Sequence, residues 1–80
     1  MTERQMIQEI LNTVDVLYKF EDTDDDKKEY NLLIYTQDND KRPIEEVNQE
    51  IKEYFQDADF TYDETINPDE DTDIKVKVKR

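Results

Sequence analysis

The sequence contains no cysteine, glycine, histidine, serine or tryptophan. Without cysteine and histidine, disulfides, thiolate metal sites and zinc sites are excluded. Without glycine, the two common loops that cradle nucleotide phosphates are excluded as well. General acid–base and nucleophilic catalysis usually draw on His, Cys or Ser, so we do not expect an enzyme and we predict no cofactor and no metal centre.

Apolar residues are also scarce. Leu, Ile, Val and Phe account for 19 of the 80 residues, which is just above the composition at which a highly charged chain stays disordered. No apolar run approaches the roughly 18 residues that a membrane span needs. We therefore expect one small acidic domain over residues 1–80, and the lack of cysteine suits the cytoplasm.

Negative charge is present in excess, with 23 acidic against 11 basic residues and a net charge of −12. The last six positions hold four of the basic residues, so residues 1–74 combine 23 acidic with only seven basic side chains. A surface of this kind repels nucleic acids and anionic membranes and attracts basic proteins. We expect a basic protein as the partner, with no direct contact to nucleic acid or membrane.

Residues 43–56 show the clearest pattern, which predicts an amphipathic helix. Pro43 suits the first turn, and the apolar residues recur at the helical period: Ile44, Val47, Ile51, Tyr54 and Phe55. The opposite face carries a file of carboxylates: Glu46, Glu50, Glu53 and Asp57. An earlier helix is predicted over residues 2–12, with Thr2 and Gln5 in capping-box positions.

Four segments alternate with a period of two and predict strands at 14–20, 30–36, 58–63 and 73–79. Residues 21–29 form an acidic hairpin loop, in which Asp or Asn should supply any residue with positive φ. The last strand alternates lysines, which indicates a solvated face or a protected edge, and we favour the edge. The second sheet face carries Leu17, Leu33 and Tyr35. An exposed apolar patch there would mark a dimer or partner surface, but we favour coverage of these residues by the chain.

The two halves of the chain align with an offset of 42 residues, because YKFEDT at 18–23 matches FTYDET at 60–65. Either a duplication or chance similarity between two amphipathic units explains this match. Both alternatives give the same α+β fold. Its order is αββαββ, with a four-stranded antiparallel sheet and two helices on one face.

Two acidic loops place oxygen ligands at alternate positions, as calcium loops of the EF-hand type do: Asp22, Asp24 and Asp26, and then Asn67, Asp69, Asp71 and Asp73. Both loops lack the glycine at position 6 and the glutamate at position 12, and predicted strands rather than helices flank them. No specific calcium site is predicted. Loose divalent binding and a plain solvated turn stay open as alternatives.

The density of charge approaches that of DNA. Duplex DNA carries about one charge per 1.7 Å of axis, so the −16 of residues 1–74 corresponds to about 27 Å of duplex. A compact domain of this length has a diameter of roughly 30 Å. Carboxylates at i and i+4 on a helix lie about 6 Å apart, which is similar to a phosphate ladder.

In composition and size the whole chain resembles the DNA-mimic inhibitors of phages and mobile elements, which include anti-CRISPR, anti-restriction and uracil-DNA glycosylase inhibitor proteins. No motif carries this resemblance. It implies an anti-CRISPR-like inhibitor that occupies the basic nucleic-acid-binding surface of a nuclease or other nucleic-acid enzyme. The predicted contact residues are Asp22, Asp24, Asp25, Asp26, Glu46, Glu50, Glu53, Asp57, Asp69, Glu70 and Asp71.

Two other functions fit the same composition. The chain would also suit an immunity protein or antitoxin that blocks a basic nuclease, or a non-catalytic interaction module whose charge serves solubility. The oligomeric state is not predicted by the sequence.

Overall fold

The structure is a computed structural model that describes all residues from 1 to 80. The elements are α1 (Glu3–Val14), β1 (Leu17–Asp24), β2 (Glu29–Tyr35), α2 (Ile44–Asp57), β3 (Thr61–Ile66) and β4 (Ile74–Lys79). The predicted order of two helices and four strands is confirmed. Whether the two αββ halves arose by duplication stays a prediction.

The four strands form one antiparallel sheet in the order β1-β2-β4-β3. Apolar residues from both helices and from one face of the sheet join a single core of 16 buried residues. Both helices therefore cover the same face, and the predicted α+β architecture is confirmed. The Cα radius of gyration is 11.7 Å, the size expected for a compact chain of this length.

Helix α1 begins as the sequence predicts and ends two residues later. The Thr2 hydroxyl accepts a hydrogen bond from the Gln5 backbone N–H, and the Gln5 side chain accepts one from the Thr2 N–H, which completes the capping box. Val14 belongs to the helix rather than to the first strand, because its side chain is buried with Ile10 and Leu11. Asp15 then ends the helix with a φ of 67°.

Helix α2 buries a slightly different stripe from the predicted one. Val47, Ile51 and Phe55 are fully buried, but Tyr54 is 46% exposed. Asn48 is buried instead, and its side-chain oxygen accepts a hydrogen bond of 2.8 Å from the Tyr62 hydroxyl. Pro43 is the N-cap residue rather than part of the first turn.

Strand β4 is an interior strand, so the interpretation of its lysines as protection of an edge is wrong. It lies between β2 and β3. Ile74, Val76 and Val78 are buried in the core, whereas the alternate lysines at 75, 77 and 79 are exposed. They lie on the sheet face that no helix covers, which we call the open face. Lysine alternation looks the same in edge and interior strands when one face is solvated.

The acidic segment between the first two strands is a hairpin, but its turn is shorter than predicted. Strand β1 continues to Asp24, after a register irregularity between Phe20 and Thr23, and only residues 25–28 form the turn. The positive φ of this turn belongs to Lys28, at 56°, and not to Asp or Asn. The third strand also begins later than predicted, at Thr61.

The apolar side chains on the open face are not covered by other parts of the chain as expected. Leu17 is 55% exposed, and its cross-strand partner Tyr35 is half-buried. Leu33 lies two cross-strand pairs away, opposite Lys19, and is half-buried as well. These residues form a small apolar corner next to strands whose other open-face side chains are mostly polar.

Candidate acidic interface

Ion pairs engage only a minority of the acidic side chains. Seven ion pairs connect seven of the 23 acidic residues with six of the 11 basic ones. The other 16 acidic side chains have no ion-pair partner. Their charges are available to a basic partner without the loss of an existing pair.

Away from the turns, the open face is close to charge balance. Its strands carry four lysines and at least four acidic residues, and Lys75 and Lys77 form ion pairs with Glu21 and Glu29. The hydrogen bond from Lys77 lowers the pKa of Glu29 and raises the pKa of Lys77 itself. Asp63 lies opposite Lys77 on the other neighbouring strand. The excess of negative charge therefore lies on other parts of the surface.

Helix α2 brings together four of the predicted contact residues. Glu46, Glu53 and Asp57 are exposed and form no ion pair, whereas Glu50 is half-buried and binds Arg42. Glu53 accepts a hydrogen bond of 3.2 Å from Gln49, one turn earlier. Because residues four apart on a helix are about 6 Å apart along the axis, these side chains form a continuous acidic file.

Arg42 is the basic residue that sequence reasoning missed. Its guanidinium donates to Asp40 at 2.6 Å, to Glu50 at 2.7 Å and to the carbonyl of Val14 at 2.8 Å, and so ties the 37–42 connection to both helices. Hydrogen bonds from Arg42 lower the pKa of Asp40 to about 2, and the contact with Asp40 raises the pKa of Arg42. The position of Arg42, a basic residue just before an acidic helix, is the sequence signal that indicates this role.

A groove of about 500 Å³ runs along the exposed side of α2 next to the end of α1. Its walls are mostly polar, and Tyr54 is the large side chain that lies open to solvent there. The lining residues are Thr13, Val14, Arg42, Glu50, Glu53, Tyr54 and Asp57. The groove therefore offers carboxylates next to one aromatic ring, and such a ring accepts cationic side chains over its face.

The two acidic loops lie at opposite ends of the sheet. The turn at residues 25–28 joins β1 to β2 where Glu29 pairs with Lys79. The loop at residues 67–73 joins β3 to β4 at the other end, where Asp73 accepts hydrogen bonds from the Thr36 N–H and hydroxyl. The loop residues Asp22–Asp26 and Asp69–Asp71 thus do not form one cluster.

Helix α2 runs between these two ends. It starts after the connection that follows Thr36, at the end of the sheet that carries the 67–73 loop. It finishes just before Thr61, which pairs with Lys79 at the end that carries the first turn. The acidic file of α2 therefore extends from one acidic loop toward the other.

Some predicted contact residues have structural roles inside their loops. The Asp24 carboxylate accepts two backbone N–H groups of its turn, and Asp69 does the same in the second loop. Asp25 accepts a hydrogen bond from the Tyr30 hydroxyl, and burial together with this bond raises the pKa of Tyr30 to about 12. Four of the predicted loop residues have exposed side chains that make no hydrogen bond: Asp22, Asp26, Glu70 and Asp71.

No group of three or more acidic side chains in the structure is arranged to hold a metal ion. Neither helix is long and apolar enough to cross a membrane. Comparisons with protein-family models, with curated proteins and with solved structures gave no match to this chain.

Proposed function

We propose that this protein is an acidic, anti-CRISPR-like inhibitor that occupies the nucleic-acid-binding surface of a nuclease or other basic nucleic-acid enzyme. The observation that carries the proposal is the file of Glu46, Glu53 and Asp57 on α2, exposed and without ion pairs, between two acidic loops. The carboxylates stand in for phosphates, and Lys and Arg side chains of the enzyme bind them as they would bind DNA or RNA.

The dimensions of the molecule support this role. Its longest extent is 35 Å, and a duplex of that length carries about 20 phosphate charges. The 16 acidic side chains without ion pairs provide a comparable number of negative charges. A basic groove shaped for a segment of duplex could accept the molecule with a similar number of charge contacts.

The position of the acids on α2 is a second support. Glu45 and Glu46 in the first turn interact favourably with the helix dipole, but Glu53 and Asp57 lie toward the C-terminal end, where the last turn has no basic residue. A carboxylate at that end costs about 0.3–1 kcal/mol of stability. Folding does not require this arrangement, whereas binding to a basic surface uses it.

The partner is first identified by co-purification with this protein from cells that express candidate nucleic-acid enzymes. The test is then whether this protein and DNA or RNA compete for that enzyme. One variant neutralises the α2 file, as Glu46→Gln, Glu53→Gln and Asp57→Asn. We expect a loss of affinity of about a hundredfold, because three charge-assisted contacts are weakened together. Glu50 is left unchanged because it holds Arg42.

The matched control neutralises the open face, as Glu21→Gln, Glu29→Gln and Asp63→Asn. It changes the net charge by the same amount, so any loss through long-range steering is the same in both variants. We expect this control to bind within a few fold of the unmodified protein. A partner that still binds its DNA or RNA normally in the complex, or that is weakened more by the control than by the α2 variant, would contradict the proposal.

A further inference from the structure

The two edges of the sheet differ in how open they are to another strand. The edge strand β1 carries a register irregularity between Phe20 and Thr23, and Arg4 reaches over to the Thr23 hydroxyl at 3.1 Å. Such irregularities discourage pairing with another chain. The edge strand β3 pairs with β4 without a register shift and contains no proline and no lysine. The β3 edge therefore has none of these protections.

The hydrogen-bonding pattern identifies which backbone groups of β3 face outward. The Asn67 N–H donates to the Asp73 carbonyl at 2.8 Å, and in the register of the two strands this pair lies two residues beyond the pair of Thr65 and Lys75. Hydrogen-bonded pairs alternate along an antiparallel ladder, so odd-numbered residues of β3 bond to β4. The N–H and C=O groups of Tyr62, Glu64 and Ile66 therefore point away from β4, and no backbone hydrogen bond outside the helices and strands uses them.

The side chains beside this edge are acidic. Asp63 is exposed on the open face, and Glu64 is half-buried on the helix side, with Lys52 at 3.8 Å. A second copy of β3 would place these carboxylates against each other, and like charges across a strand pair are destabilising. An incoming strand that presents basic side chains on the open face would instead place opposite charges beside Asp63.

Strand β4, which pairs with the inner edge of β3, carries the kind of side chains that a strand on the outer edge of β3 would need. Strand β4 has the sequence IKVKVK, and its lysines lie opposite Asp63 and two threonines of β3. We propose that the outer edge of β3 binds an extended segment of another protein in which Lys or Arg alternates with β-branched residues. Backbone hydrogen bonds to Tyr62, Glu64 and Ile66 add a fifth strand to the sheet. This edge is separate from the acidic file of α2, so the proposal does not rest on the proposed function.

The experiment uses the whole protein and a capped peptide of sequence IKVKVK, with the acidic peptide IEVEVE as control. Hydrogen exchange of backbone amides is followed by NMR. With saturating IKVKVK, exchange at Tyr62, Glu64 and Ile66 is expected to slow by about tenfold or more, because these amides become hydrogen-bonded. Unchanged exchange at these amides, slowing at β1 amides instead, or equal binding of IEVEVE would overturn the proposal.

Two variants isolate the backbone contribution. Glu64→Pro removes the outward N–H, and Glu64→Gln removes the same charge but keeps the N–H. We expect Glu64→Pro to bind IKVKVK at least about tenfold more weakly than Glu64→Gln, with both melting cooperatively. Equal affinity of the two variants would overturn the proposal. If Glu64→Pro fails to fold, the exchange rates in the unmodified protein decide.

Discussion

The helix-covered side of the molecule and the open face of the sheet carry charge in different ways. On the open face, lysines of β4 alternate between acidic residues of neighbouring strands, and the charges nearly balance. On the helix side, α2 contains five acidic residues and Lys52 as its one basic residue. Either face is polar enough for solubility, so solubility alone does not explain why the acids are concentrated on one side.

The few basic residues also act differently on the two sides. Lys77 on the open face is 49% exposed, and its ion pair with Glu29 is open to water. Arg42 on the helix side is 28% exposed and binds two carboxylates and a carbonyl at once. We infer that positive charge holds the structure together on the helix side and only balances charge on the open face.

The largest effect is expected when the structural role of Arg42 is removed. Arg42→Met leaves Asp40, Glu50 and the Val14 carbonyl without their shared donor. The free energy of unfolding should fall by about 2 kcal/mol, which lowers the melting temperature on the order of 10 °C. Lys41→Met, an exposed neighbour with the same change of charge, is the control and should melt within about 2 °C of the unmodified protein.

Salt should have an intermediate effect. The acidic side chains without ion pairs repel one another, and sodium chloride screens that repulsion over a Debye length of about 10 Å at 0.1 M. Relief of about 1 kcal/mol of repulsion would raise the melting temperature by about 4–8 °C between low and moderate salt. A flat or falling melting temperature would show that local pairs on the open face outweigh the repulsion on the helix side.

The smallest effect is expected for the ion pair on the open face. Lys77→Met removes the partner of Glu29 but leaves the strand pairing and the core unchanged. Exposed ion pairs contribute little to stability, so the melting temperature should change by no more than a few degrees. A loss as large as that of Arg42→Met in the same calorimetric measurement would erase the distinction between the two sides.

Much of this fold follows from periodicity, which is a local property. The capping box at Thr2, the core of the α2 stripe at Val47, Ile51 and Phe55, and the order of helices and strands along the chain all depend on residues close together in sequence. The structure confirms these three features. The predicted file on α2 follows from the same periodicity. The burial of Asn48 also fits this periodicity, because Asn48 is four residues after Ile44 and three before Ile51 and so lies on the buried stripe.

Features that depend on contacts between residues far apart in sequence were not predicted. The order of strands within the sheet is set by the pairing of β2 with β4, and the lysines of β4 look the same in an interior or an edge strand. The Arg42 cluster joins Val14 to Glu50, and no local pattern indicates that pair. The opposite placement of the two acidic loops likewise follows only from the strand order.

The pairing of β2 with β4 also bears on how the chain folds. These two strands form the centre of the sheet, and their register joins Glu29 to Lys79 across most of the chain length. Each αββ half can close its own hairpin from neighbouring residues, but each contributes only eight of the 16 residues of the shared core, so the core is complete only when the halves dock. Because such a long loop must close before the central pairs form, we infer that docking of the halves limits the folding rate.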